Sequence, residues 1–327
     1  MSRTLVALSL IPMMMGGAAF AQAPRVAVDI APVHSLVARV MQGVGAPKLI
    51  VQPGASPHEY SLRPSEARAL QDADLVFWIG PDLTPWLSDT IATLAADATP
   101  LALLEANGTI ELEFRENALF EAHGHDDHDD DDHGDAHKDD DHGEAGHDEE
   151  GHDEHGHGAH DPHAWLSPQN AMTWLNVIAG QLSAADPDNA GQYFANAAAG
   201  RAELDALIGE VNATLAPVRG GQFIVFHDAY HYFENDFDFP AAGAISLSDA
   251  SDPSPARIAE IRDRIGDQGI DCVLAEPQFN PGLVETVLDG TTAQTGILDP
   301  LGSDLAPGPA LYPQLIRNLS TALAGCM

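Results

Sequence analysis

The sequence predicts an α/β fold of two lobes, each a parallel sheet covered by helices, joined by one long rigid α-helix. Three observations carry this reading. Short apolar runs alternate with helix-like stretches along most of the chain, and such alternation builds parallel sheets buried on both faces. The alternation occurs twice, on either side of residues 187–215. That stretch holds almost no helix breaker and sets Tyr193, Phe194, Leu204, Leu207, Ile208 and Val211 at helical spacing. A single helix over it would be about 40 Å long, enough to cross a domain and connect two lobes.

The elements follow in order. Val26 to Ile30 reads as a strand and Pro32 to Met41 as a helix. Leu49 to Val51 is a second strand, closed by Pro53-Gly54, and Pro64 opens a helix through Leu70. Leu75 to Ile79 is a continuous apolar run ended by Gly80-Pro81, as a fully buried strand requires. Thr84 to Leu94 reads as a helix, and so does Pro168 to Leu182. Beyond the long helix, strands are expected at 223–226, 242–245, 271–275 and 295–298. Helices are expected at 255–265, 282–288 and 313–324. The resulting division is a signal peptide over 1–23, an N-terminal lobe over 24–186, a linking helix over 187–216 and a C-terminal lobe over 217–327.

The 327 residues are 44% hydrophobic, sufficient for two cores, yet the formal net charge is -36. Such a charge repels nucleic acid and anionic membrane surfaces and attracts cations. About half of it lies between Glu121 and Asp161, so the remainder of the chain is moderately acidic. The N-terminus carries Arg3, an apolar run from Leu5 to Met15, and small residues around Ala19, Ala21 and Ala23. This is the pattern of a cleaved secretory signal; the alternative, a membrane anchor, suits it less, because the run is short and broken by Gly16 and Gly17. No later stretch is apolar enough to span a membrane. Both cysteines, Cys272 and Cys326, fall in the exported part, where an oxidising compartment favours a disulfide between them over two free buried thiols.

From Glu121 to His160 the chain holds His, Asp, Glu, Gly, Ala and one Lys, with no apolar residue larger than Ala. It has nothing to bury and reads as a disordered loop. Eleven of the sixteen histidines stand in it: His123, His125, His128, His133, His137, His142, His147, His152, His155, His157 and His160. Neutral imidazole binds zinc-like ions, while the surrounding carboxylates raise the local cation concentration and hold imidazole in its charged form at low pH. Several weak, fast, pH-sensitive auxiliary metal sites are expected, rather than one preorganised site. A solvated tract without metal function is the alternative.

Of the other five histidines, His58, His163 and His227 sit just after a strand or just before a helix. Ligands of open parallel sheets collect at the carboxyl ends of strands, so two facing sheets would bring these loops to one cleft. Any one of the three alone reads as a capped or hydrogen-bonded structural residue. Three at equivalent loop positions, in a chain with a His-rich tract, point to a metal site between the lobes. His231, four residues after His227, reads as structural, and His34 as a helix-entry residue.

The motifs around these positions are Pro53-Gly54-Ala55-Ser56-Pro57-His58-Glu59-Tyr60-Ser61-Leu62-Arg63-Pro64-Ser65 and Ala73-Asp74-Leu75-Val76. They continue with Pro162-His163-Ala164-Trp165-Leu166-Ser167-Pro168 and Phe226-His227-Asp228-Ala229-Tyr230. The last are Ala275-Glu276-Pro277-Gln278-Phe279 and Leu298-Asp299-Pro300-Leu301-Gly302. Together they make the chain resemble, over essentially its whole mature length, the ZnuA family of periplasmic zinc receptors of ATP-driven bacterial importers. The resemblance implies Zn²⁺ held between two lobes by His58, His163 and His227. It implies a monomeric periplasmic receptor docking peripherally on an inner-membrane ABC permease, with no catalysis of its own. Some members carry an acidic ligand just before the first histidine. Pro57 stands there in this chain, which leaves the fourth position to water, Asp299 or Glu59. Adjacent residues of an extended segment point opposite ways, which disfavours Glu59.

Two other functions fit parts of this pattern. Three histidines and a water also make a catalytic zinc, so a zinc hydrolase is a second reading, with Asp228 or Glu276 as candidate base. A receptor for manganese or another divalent ion is a third, disfavoured because three imidazoles suit zinc better than manganese.

Overall fold

The computed structural model describes residues 23–115, 120, 160–246 and 253–327; the signal segment and all but the last residue of the 121–160 loop lie outside them. The described residues form two sheets of the same design. In the first, β1 (Val26–Val28), β2 (Lys48–Leu49), β3 (Leu75–Trp78) and β4 (Thr99–Ala102) lie in the order β2-β1-β3-β4. In the second, β5 (Phe223–His227), β6 (Gly243–Ser246), β7 (Cys272–Ala275) and β8 (Gln294–Ile297) lie in the order β6-β5-β7-β8. Every pairing is parallel.

Helices α1 (Ala31–Val40), α2 (Pro64–Gln71), α3 (Pro85–Leu94) and α4 (Pro168–Ala185) belong to the first half. Helix α5 spans Ala190–Leu215, followed by α6 (His231–Phe237), α7 (Pro255–Gln268), α8 (Pro281–Leu288) and α9 (Leu311–Cys326). Pro64, Pro85, Pro168 and Pro255 each open a helix, where the missing N–H costs nothing and the ring presets φ. Ser167 and Ser254 add side-chain caps to the third and fourth of these.

Strand alternation divides the core. Val26 and Val28 of β1, with Phe223 and Val225 of β5, face one continuous cluster that includes Val33, Trp174, Leu207 and Leu315 from α1, α4, α5 and α9. Ala27 and Val76 face α2 and α3, while Ile224 and Val273 face α7 and α8. The two sheets therefore share one inner core and keep separate outer ones. Helix α5 buries a single stripe (Tyr193, Ala197, Gly200, Leu204, Leu207, Val211 and Leu215) whose spacing of three and four residues is that of one helix face. At Gly200 a β-carbon would lie 3.0 Å from Leu175 of α4 and 3.4 Å from Arg39 of α1, so glycine permits the close approach. Among the described residues no helix is long and apolar enough to cross a membrane.

The structure refines the expected elements. The long helix begins at Ala190, after a 3₁₀ turn at Pro187–Asn189, because Asp186 is turned back to accept from the Tyr193 hydroxyl and Asn189. Strand β4 was not expected. Its Pro100 lacks a ladder donor, which an edge strand tolerates and a sequence pattern disguises. Helix α6 was likewise not expected, since the chain turns over Asp228–Tyr230 and enters a helix at His231. The second strand lies one residue earlier than its apolar run suggests. Ile50 and Val51 continue to donate backbone hydrogen bonds to Val28 and Asp29 as the chain leaves the sheet. Cys272 of β7 and Cys326 of α9 are joined in a disulfide, with Cα atoms 5.8 Å apart.

Candidate metal centre

Three segments meet where the carboxyl ends of the two sheets face each other. The first leaves β2 and makes a turn in which the Ala55 N–H reaches the Gln52 carbonyl, with Pro53 and Gly54 at its corners. Gly54 takes φ +83°, the left-handed conformation that a Pro-Gly turn of this kind needs. Ser56 then accepts from the His58 N–H at 3.2 Å, and the indole of Trp86 donates to the Pro57 carbonyl at 2.8 Å. These bonds fix the segment that carries His58. The second segment brings His163 to the start of a 3₁₀ turn, Ala164–Leu166, which leads into α4. The third brings His227 as the last residue of β5.

The rings converge. The centroid of His163 lies 5.6 Å from that of His58 and 5.3 Å from that of His227. Nitrogens about 2 Å from one tetrahedral ion would set the ring centres of two ligands roughly 5 Å apart. Among the described residues no group of three or more histidine, cysteine or carboxylate side chains is placed so that it could hold a metal ion as it stands. The cavity beside them holds about 20 Å³, space for a single water.

Two rings are oriented by buried carboxylates. Asp161 Oδ1 lies 2.7 Å from His163 Nδ1 and accepts from the His163 N–H at 2.9 Å. Glu276 Oε1 lies 2.7 Å from His227 Nδ1 and accepts from the His227 N–H at 3.2 Å. A carboxylate at Nδ1 fixes the tautomer with the proton on that nitrogen, assigns ligation to Nε2 and makes it more basic. Burial pushes the Asp161 carboxyl up to about 7, against the lowering effect of the His163 N–H. Burial also raises Glu276, against the opposing pull of His227. A cation at Nε2 would oppose both shifts by favouring the ionised carboxylates.

Residues 26–326 match the family model described as "Zinc-uptake complex component A periplasmic". The chain belongs to the ZnuA family. It is 55% identical over 304 residues to the high-affinity zinc uptake system protein ZnuA of Brucella abortus (strain 2308), covering 92% of this chain and 91% of that one. It is 50% identical over 308 residues to the protein of the same name from Paracoccus denitrificans (strain Pd 1222), covering 94% and 93%. A solved structure described as "Crystal structure of ZnuA" superposes with TM-score 0.71 at 23% identity, covering 93% of this chain and 99% of that one, which shows the shared two-lobe fold.

Within this ZnuA-type cleft the remaining candidates take distinct places. Asp299 Oδ1 accepts from the N–H groups of Leu301 and Gly302, both at 3.0 Å, and Oδ2 from that of Ser303 at 2.5 Å. Its carboxylate is committed to its own turn, and neither it nor exposed Glu59 lines the cavity. His34 is a buried residue of α1 with Nε2 3.3 Å from the Pro47 carbonyl, and it does not line the cavity. His231 opens α6 and lies 3.8 Å from Asp161, behind His163. Of the loop histidines only His160 is described; it pairs with Glu113 in a β-bridge and lies 3.5 Å from Glu111. The other ten lie outside the described residues.

Sequence reasoning missed Asp161, Trp165 and Gln278. Trp165 packs its indole 5.2 Å from the His163 ring and donates to the Pro300 carbonyl, closing the cleft floor. Asp161 could have been found from the Asp-Pro-His triplet, since an aspartate reaches the backbone two residues on. Glu276 needed the β5–β7 register, which no local pattern contains.

Proposed function

We propose that the cleft takes one zinc ion on the Nε2 atoms of His58, His163 and His227, with water as the fourth ligand. The protein acts as the periplasmic receptor that captures zinc and delivers it to an ABC-type importer. The observation that carries this is the approach of the His58 and His227 rings to that of His163, at 5.6 and 5.3 Å between centroids, near the roughly 5 Å expected for two ligands of one tetrahedral ion. Water is favoured over Asp299 because that carboxylate already accepts three backbone N–H groups. Water is favoured over Glu59 because Glu59 is exposed.

Nitrogen ligands suit zinc over manganese, whose preference is for oxygen. The hydrolase reading lacks a base. Asp228 is clamped by Arg115, which also pairs with Glu234 at 2.7 Å, and Glu276 is spent on the far side of the His227 ring. The cavity also has no room for a peptide or ester.

The shared inner core resists a wide hinge motion, so closure over the ion is small and release falls to the membrane partner. In this reading residues 1–23 direct export. The mature protein docks as a monomer on the inner-membrane permease. The 121–160 segment serves as an auxiliary zinc-binding tract.

A zinc titration read by chelator competition tests the main site. His163→Ala and His227→Ala should each abolish tight binding of one zinc per chain. Retention of that stoichiometry and affinity in both would remove the proposal. Manganese displacing zinc from the tight site would reassign the metal.

A further inference from the structure

Besides the imidazoles, the polar side chains on the cleft wall are Ser56, Glu276 and Gln278. Gln278 is held in an unusual way. Its Nε2 donates to Asp299 Oδ1 at 3.3 Å and to Ser303 Oγ at 3.0 Å. A carboxylate only accepts, so the chemistry fixes which end of the amide faces Asp299. The other end, Oε1, is buried and has no hydrogen-bond partner among the described residues. A buried carbonyl without a donor is costly, and such groups persist where a ligand supplies what the protein does not. Glu276 Oε2 is buried in the same condition, but the His227 ring stands between that carboxylate and the nitrogen assigned to the ion.

We infer that Gln278 Oε1 accepts a hydrogen bond from the water that completes the zinc coordination, and that Asp299 and Ser303 hold the amide in place for it. This rests on the three-histidine reading above. The cavity has space for one water. Water bound to zinc is acidified and becomes a strong donor, so a bare carbonyl is a matched acceptor. Asp299 then contributes at one remove, through its hold on Gln278. Gln278 is a positioning residue. It touches the water rather than the ion, and it selects an ion that keeps one water in a tetrahedral site.

The test uses the full chain, with zinc affinity measured by chelator competition and Co²⁺ as a spectroscopic probe of the cleft. Gln278→Met keeps the length of the side chain and removes the amide. It should weaken cleft zinc binding about tenfold, as loss of an outer partner of a metal site does. It should also change the intense visible bands of tetrahedral cobalt. Ser303→Ala, which frees the amide without removing it, should give a smaller loss in the same direction. Gln278→Met with wild-type affinity and an unchanged cobalt spectrum overturns the inference. So does a loss of affinity matched by a fall in metal-free melting temperature with the spectrum unchanged, which is the mark of a purely structural role. His163→Ala separates the two levels. If it keeps the tetrahedral cobalt bands, the three-histidine reading fails and the inference with it. If it loses them while Gln278→Met is silent, only the inference fails.

Discussion

The two lobes share one strand order and one device, and they use the device differently. In each, a buried carboxylate at the carboxyl end of one central strand accepts from the backbone of the other. In the first lobe Asp29, fully buried after β1, accepts from the Ile79 N–H beyond β3 at 2.7 Å and from its neighbour Ile30 at 2.7 Å. Among the described residues its side-chain oxygens accept from backbone N–H groups. In the second lobe Glu276, after β7, accepts from the N–H of His227 at the end of β5 and holds that residue's ring with the same oxygen. In the proposed zinc site the second staple would also orient a ligand, because the stapled residue carries an imidazole. In the first lobe His58 stands instead at the edge of the sheet, on the turn that follows β2.

The largest expected effect lies in the first lobe. Asp29→Ala strands two buried N–H groups, each costing about 1–3 kcal/mol, so the variant should lose roughly 4 kcal/mol of stability. Denaturant unfolding of metal-free protein measures this. If the staple there is purely structural, zinc affinity of the folded variant stays within about twofold of wild type. A large affinity loss would mean that both carboxylates serve the ion and would erase the contrast.

A second asymmetry is covalent. The second lobe ties β7 to α9 through Cys272 and Cys326, a pair 54 residues apart in sequence. Replacing both with serine should cost about 3 kcal/mol, mainly by freeing the unfolded chain. Because β7 ends beside Glu276, chelator competition on the same variant reports whether the crosslink also steadies His227. An unchanged zinc affinity would show that strand pairing alone positions the ring.

The third prediction concerns pH. Burial pushes the Asp29 carboxyl up to about 7, above the ordinary value near 3.9 of the unfolded chain. A folded-state value raised in this way contributes stability below about pH 4 that is lost as pH rises toward and through about 7. Asp29→Asn removes this titration while leaving one acceptor. The stability advantage of wild type over Asp29→Asn should therefore shrink by about 2 kcal/mol between pH 5 and pH 8. An advantage that holds constant or grows over that range would place the folded-state titration of Asp29 elsewhere.

How far the sequence alone reached follows from the range of each interaction. The strands and the long helix were legible because apolar periodicity is local; Leu75–Trp78 and Leu204–Val211 show it within a few residues. The helix at His231–Phe237 was hidden by its brevity, and the strand at Thr99–Ala102 by its proline. His58, His163 and His227 could be singled out because each sits at a strand end or helix start, where parallel sheets present ligands. What orients them was not legible. Glu276 meets His227 across 49 residues, and Trp165 meets the Pro300 carbonyl across 135. Those meetings depend on register and on how the two sheets face each other, which no short window encodes.

The smallest expected effect is the one that most sharpens the comparison. Glu276→Gln keeps the shape and an oxygen for the His227 N–H, and removes the charge behind the ring. A less basic imidazole should bind zinc about tenfold more weakly. The same change should leave metal-free stability equal to wild type or slightly above it. Burial raises the Glu276 carboxyl by penalising its ionised form, and a neutral amide escapes that penalty. Loss of affinity with no loss of stability is the reverse of the Asp29→Ala outcome. Glu276→Gln losing stability while holding zinc as tightly as wild type would make the second staple as structural as the first, and the division of labour between the lobes would fall.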